Sequence, residues 1–159
     1  MKRTASPDRN QHANLEAQVF VSLLRTADAL SRGGEDLFKA HNLSGTQYNI
    51  LRILRGAGEN GLACREVGCR LISRDPDITR LLDRMEKRGW IVRAREARDR
   101  RVVKTRITRE GLKLLAMLDK PVDEFHRRQL GHVSAKELRQ LSKLLDRARE
   151  GVPGCESPD

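Results

Sequence analysis

The stretch from Ile78 to Thr108 constrains this chain more than any other. Ile78, Leu81, Leu82 and Met85 fall at i, i+3, i+4 and i+7, the spacing that lines one face of an α-helix. At about 100° per residue, Arg80, Arg84 and Lys87 then project from the opposite face. Gly89 stops the helix. Two β-rich runs follow, Trp90–Arg95 and Val102–Thr108, joined by the charged loop 96–101, and they read as a hairpin. An amphipathic helix with a cationic outer face that runs straight into a hairpin leaves few folds open.

The charge balance singles out the same stretch. The chain has 159 residues, with 32 Lys+Arg against 22 Asp+Glu and a net charge of +10. Arg74–Arg109 carries thirteen basic and six acidic residues and holds seven of those ten excess charges. Glu110–Asp159 is neutral, and Leu15–Ser73 carries only +1. A localised basic stretch is the electrostatic footprint of a polyanion binder, and the helix-and-hairpin pattern of the same residues sets this reading ahead of a merely solvated face.

The flanks read as helices. Leu15, Val19, Leu23, Ala27 and Leu30 recur at helical spacing, Phe20 and Leu24 widen the stripe, and Leu37 and Phe38 resume it after Gly33-Gly34, which weakens or bends the helix. Ser44 with Gln47 makes a capping box, and Leu43 against Tyr48 a hydrophobic staple, for a helix through Ile50, Leu51 and Leu54. A short helix is expected over 63–72, then a turn at 73–75, with Asp75 as cap and Pro76 at the first position of the basic helix. Thr108 caps a long helix with Leu112, Leu115, Leu118, Val122 and Phe125 along one side, which Pro121 should kink or interrupt. Ser134 and Glu137 open the last helix through Leu138, Leu141, Leu145 and Ala148.

A short helix, a tight turn, a basic helix and a hairpin together make a winged helix-turn-helix. The fold class is mainly α with a small β-hairpin wing. In such domains the second helix enters the major groove, and an Arg-rich hairpin reaches the backbone or the adjacent minor groove. From 43 to 111 the chain also resembles the MarR family of bacterial transcriptional regulators. The residues that carry the likeness are Leu43-Ser44, Gln47-Tyr48 and Leu51, then the run from Ile78 to Trp90, the wing residues Asp99-Arg100-Arg101, and Ile107-Thr108-Arg109-Glu110-Gly111.

The resemblance implies a homodimer on a pseudo-palindromic site of double-stranded DNA, a repressor released by a small lipophilic or phenolic effector. It also implies that Arg101 enters the minor groove from the wing, oriented by Asp99. The chain divides accordingly into a flexible arm (1–14), an N-terminal dimerisation helix (15–42), the winged DNA-binding domain (43–109), C-terminal dimerisation helices (110–150) and a flexible tail (151–159). The candidate DNA-binding residues are Asp77, Thr79, Arg80, Arg84, Lys87, Arg98, Asp99, Arg100 and Arg101. Asp77 has two readings, the first being to complement the helix dipole and the second to accept from a cytosine amino group. Arg80 and Arg84 read as DNA contacts ahead of ion pairs with Asp77 or Asp83, and Trp90 reads as core.

Other chemistry finds little support. Met1–Asn14 is polar and has no signal-peptide core, and the longest uncharged run, Ala40–Leu51, is too short and polar to span a bilayer. A cytoplasmic protein is expected, away from membranes. The four histidines show no metal-ligand spacing, and no nucleophile elbow or phosphate loop occurs, so neither an enzyme nor a cofactor is expected. Cys64 and Cys69 would be offset by about 7.5 Å and some 140° on one helix, too far to pair without unwinding. Family members that sense peroxide place the reactive thiol in the first helix, where this chain has none. Two alternatives remain: a thiol-based redox-responsive regulator, and a winged-helix module that binds RNA or protein.

Overall fold

The computed structural model describes residues 9–72, 77–96 and 102–150, with side chains described from Asn14 onward. Seven α-helices, a short 3-10 helix (Gly58–Asn60) and a three-stranded sheet are found among these residues. Helix α1 spans Arg9–Ser31, α2 Gly34–Lys39 and α3 Gly45–Ala57. A short strand β1 (Leu62–Ala63) leads into α4 (Cys64–Arg70), and α5 covers Ile78–Lys87. Strands β2 (Ile91–Arg95) and β3 (Val103–Ile107) form the hairpin, and α6 (Arg109–Leu130) and α7 (Ala135–Glu150) complete the chain.

The core lies inside the winged domain. Ile50, Leu51 and Leu54 of α3, Leu82 and Met85 of α5, Ile91 of β2 and Leu115 and Leu118 of α6 are fully buried together. The expected capping box at Ser44 is present: Gln47 N donates to Ser44 Oγ at 3.2 Å, and Ser44 N donates to Gln47 Oε1 at 2.9 Å. Leu43 and Tyr48, the two halves of the staple, are both buried. The same logic holds at the last helix, where Ser134 N donates to Glu137 Oε2 at 3.0 Å and Glu137 N donates to Ser134 Oγ at 3.3 Å.

Thr108 caps α6 twice over. Its hydroxyl accepts from Gly111 N at 3.1 Å and donates to the Gly89 carbonyl at 2.6 Å, which ties the start of α6 to the end of α5. A Cβ on Gly111 would lie 2.3 Å from the Trp90 carbonyl oxygen, so only glycine lets these backbones meet.

Several expectations change. Helix α1 begins at Arg9, earlier than the apolar spacing from Leu15 indicates, because a formed helix extends through polar residues that could not nucleate one. The segment 15–42 falls on two helices, broken at Gly33, which takes the left-handed φ of +80°. The sheet has a third strand, since Leu62 pairs with Thr105 and Ala63 with Lys104, giving the order β1-β3-β2. Two residues are too few to show alternation in a sequence.

Helix α4 therefore starts at Cys64, with Ala63 N donating to Glu66 Oε2 at 2.6 Å, and ends at Arg70. Helix α5 begins at Ile78 after Asp77, later than a start at Pro76 would give, while Asp75 and Pro76 themselves lie outside the described residues. Helix α6 runs without interruption through Pro121, held on either side of it by the buried Leu118 and Val122. On its buried side Leu114 stands where Leu112 was expected, and Leu112 is exposed.

Candidate nucleic-acid interface and ligand cavity

Helix α5 packs Leu81, Leu82 and Met85 inward, which leaves Thr79, Arg80, Arg84 and Lys87 exposed on its outer side. Asp77 stands at the N-cap but its side chain makes no capping hydrogen bond. Its carboxylate lies 3.5 Å from the Arg80 guanidinium, and that Arg80 side chain is 82% exposed. Such an exposed pair contributes little energy and opens readily to a better anion. Arg84 and Lys87 have no ion pair among the described residues. The wing residues Arg98, Asp99, Arg100 and Arg101 lie outside the described residues.

Four other cations of this basic stretch, Arg88, Arg93, Lys104 and Arg106, are engaged within the domain, whereas Arg95 and Arg109 are exposed without an ion pair among the described residues. Arg93 on β2 binds two carboxylates of α5: its Nε and Nη2 donate to Glu86 Oε2 at 2.8 and 2.7 Å, and Nη2 lies 2.5 Å from Asp83 Oδ1. The Arg93 backbone N–H adds a fourth bond, 2.8 Å to Glu86 Oε1. Those hydrogen bonds hold the Glu86 carboxyl below its ordinary range and Arg93 above its own. Asp83 thus serves Arg93, and neither Arg80 nor Arg84 pairs with it. Arg88 donates to the Asn42 carbonyl and lies 4.8 Å over the ring of Trp90, which is half-buried against the core as expected. Lys104 pairs with Glu96 at 3.5 Å, and Arg106 donates to the Glu59 carbonyl. The Arg93 cluster was missed because its acidic partners stand across a helix, a turn and a strand, where no periodicity links them.

Behind the winged domain lies a cavity of about 760 Å³ between α1, α2, α3 and the latter half of α6. Phe38, Tyr48 and Phe125, three of the chain's five aromatic residues, line it. Phe38 and Tyr48 stack with centroids 4.7 Å apart. Burial pushes the Tyr48 hydroxyl above its ordinary value, so it stays a neutral donor. Arg52 and His126 belong to a polar rim that also holds Glu35, Lys39 and Asn49, and the Arg52 guanidinium lies 5.9 Å from the Tyr48 ring centroid without an ion pair among the described residues. Sequence reasoning named no pocket residues, although a scarce residue type gathered on three elements was the available signal.

Cys64 is half-buried, its sulfur 3.9 Å from the Thr79 hydroxyl, and Cys69 is exposed; both are free thiols. Among the described residues no group of His, Cys, Asp or Glu could hold a metal ion, and no helix is long and apolar enough to cross a membrane.

An amphipathic helix at the end of a helix-turn-helix, backed by a three-stranded wing sheet, defines a winged helix-turn-helix protein. The MarR family model matches residues 43–103. A MarR transcription factor of Planctomyces limnophilus is 39% identical in its crystal structure, covering 89% of this chain and 98% of that one with a TM-score of 0.61. This chain belongs to the MarR family of transcriptional regulators. It is also 27% identical to the homoprotocatechuate degradative operon repressor of Escherichia coli over 143 residues, 86% of this chain and 95% of that one. In fold it matches the S. aureus MepR–DNA complex with a TM-score of 0.72 at 20% identity, covering 84% of this chain and 98% of that one.

Proposed function

We propose that this protein is a homodimeric repressor that binds a pseudo-palindromic operator in double-stranded DNA and leaves it when a small aromatic acid enters the cavity. The observation that carries the reading is the sorting of cations around α5. Arg84 and Lys87 face solvent without ion pairs among the described residues, and Arg80 has only a loose partner, while the neighbouring Arg88, Arg93, Lys104 and Arg106 are all engaged. The outward side of the helix is thus a row of charges available to phosphates and base edges. Thr79 shares that side, and Asp77 sits at its start. On the wing, Arg98 and Arg100 would hold the backbone, and Arg101, braced by Asp99, would enter the minor groove.

The effector reading rests on the cavity. A planar ring fits against Phe38, Tyr48 and Phe125, and a carboxylate fits Arg52, which among the described residues has no ion pair, unlike Lys39 in the same lining. The relative from Escherichia coli represses an operon for degrading homoprotocatechuate, which is the same chemical class. Linkage then requires DNA and effector to weaken one another by an equal factor.

Footprinting of the purified protein on its own upstream DNA, with and without homoprotocatechuate, tests both parts. Symmetric protection that the acid abolishes is the expected result; failure to protect any duplex refutes the reading. Arg52→Ala should lower the affinity for the acid by about 10–100-fold, as expected for a lost charge-assisted hydrogen bond of about 1.5–3 kcal/mol. DNA affinity without the acid should not change, and calorimetry reads both.

A further inference from the structure

Arg93 lies in the most basic stretch of the chain, yet its geometry is that of a residue kept from DNA. Its side chain is only 25% exposed, and among the described residues its guanidinium bonds only to Asp83 and Glu86 on α5. From this we infer that Arg93 is a positioning residue that fixes the pitch of the wing against the recognition helix, and so sets the spacing between the bases read by α5 and the flank reached by the wing. The inference rests on the DNA-binding reading above.

The clasp is built for rigidity. Four bonds converge on one residue, three from the guanidinium and one from the backbone, and they add directional polar bonds to a strand and helix that otherwise meet through the turn at 88–90 and the apolar packing of Ile91. A planar fork that engages two carboxylates at once fixes direction as well as distance. The leverage is large. An extended strand advances about 3.3 Å per residue, so Glu96 stands roughly 10 Å beyond the clasp. A tilt of roughly 20° about Arg93 moves that point by about 3.4 Å, the rise of one base pair. Loosening the clasp by that amount lets the wing meet a flank one step out of register. The clasp has an electrostatic result too, because the single charge of Arg93 offsets one of the two negative charges on α5 that would otherwise repel phosphates.

Arg93→Lys separates position from charge. The ammonium keeps the positive charge, but it cannot span both carboxylates in a fixed plane. The experiment selects duplexes from a randomised library with the full-length wild-type protein, then measures affinity for the selected site with and without one base pair inserted between its centre and its flank. The insertion should cost the wild type at least about tenfold and Arg93→Lys no more than about threefold. Glu86→Gln should relax the spacing in the same way.

Three results overturn the inference. One is an Arg93→Lys protein that keeps the wild-type spacing penalty. Another is a Glu86→Gln protein that binds all sequences more tightly with its spacing unchanged, which would make Arg93 a phosphate contact. The third comes from hydrogen exchange of the free protein: β2 amides should exchange about tenfold faster in Arg93→Lys while α3 and α6 stay as in the wild type, and unchanged β2 exchange means there is no working clasp. A wild type that selects no duplex refutes the DNA-binding reading itself, and exchange then still shows whether the clasp holds the wing.

Discussion

Arg80 and Arg84 stand one helical turn apart, but their surroundings differ. Arg84 has no ion pair among the described residues and meets DNA at no cost beyond its own ordering, whereas Arg80 must first leave Asp77. Arg84→Ala should therefore cost about 1–3 kcal/mol of operator affinity and relax base preference at two symmetric positions. Binding to a randomised operator series checks this, and a variant with wild-type affinity and selectivity would remove Arg84 from the interface. Gly111 makes a prediction of another kind. A methyl group there would lie 2.3 Å from a backbone oxygen, and neither α6 nor the turn at Trp90 can yield without disturbing the Thr108 cap. Gly111→Ala should destabilise the fold by about 1–3 kcal/mol, as overpacking does, and urea unfolding would show it. The outward row on α5 was legible because helical periodicity assigns faces without any tertiary knowledge. The engagement of Arg93 was not, because the sequence records a charge but not the distant group that neutralises it.

Helices and strands were legible where they carry their own punctuation. The boxes at Ser44 and Ser134 and the cap at Thr108 lie where the sequence put them, since each is satisfied by residues within three positions. Strand β1 was not, since two residues become a strand only when β3 lies beside them. The split of α1 from α2 was half visible: the Gly33-Gly34 pair signals a weak point, but a full break also needs the Phe125 ring packed 3.5–3.7 Å from where their side chains would start. The joint between α5 and β2 has its own pH signature. Hydrogen bonds from Arg93 hold Glu86 below its ordinary value of 4.5. A depressed carboxyl stabilises the folded state fully above the ordinary value and loses that contribution as pH falls through the lower folded value. The stability gap between wild type and Glu86→Gln should therefore be constant near neutrality and close as the solution is acidified below 4.5. Urea midpoints measured across that range would show it, and a gap that stays constant into strong acid would contradict it.

At the scale of the molecule, the apolar surface is distributed unevenly. The winged domain buries its stripes, but Leu15, Val19, Phe20, Leu23 and Leu24 of α1 and Leu141 and Leu144 of α7 are all exposed in the single chain. An uncovered surface of that kind marks an interface. Under the function proposed above, a second copy of the chain would cover it, as a two-fold DNA site requires. Light scattering should give twice the mass of the chain at micromolar concentration, and truncation of α1 should return monomers that aggregate or unfold; a stable folded monomer at that concentration would defeat the expectation.

The bond from Gln129 Nε2 to the Leu30 carbonyl, 2.7 Å long, closes the end of α1 onto α6 across 99 residues of chain. During synthesis that separation becomes a delay. At about 5–20 residues per second, roughly 5–20 s pass between the emergence of Leu30 and that of Gln129. Throughout that interval α1 is outside the ribosome with its apolar side bare and the helix that will brace it still unmade. If the chain pairs through α1 as proposed above, the α1 of a neighbouring chain on the same message can meet it in this state, before α6 has completed either core.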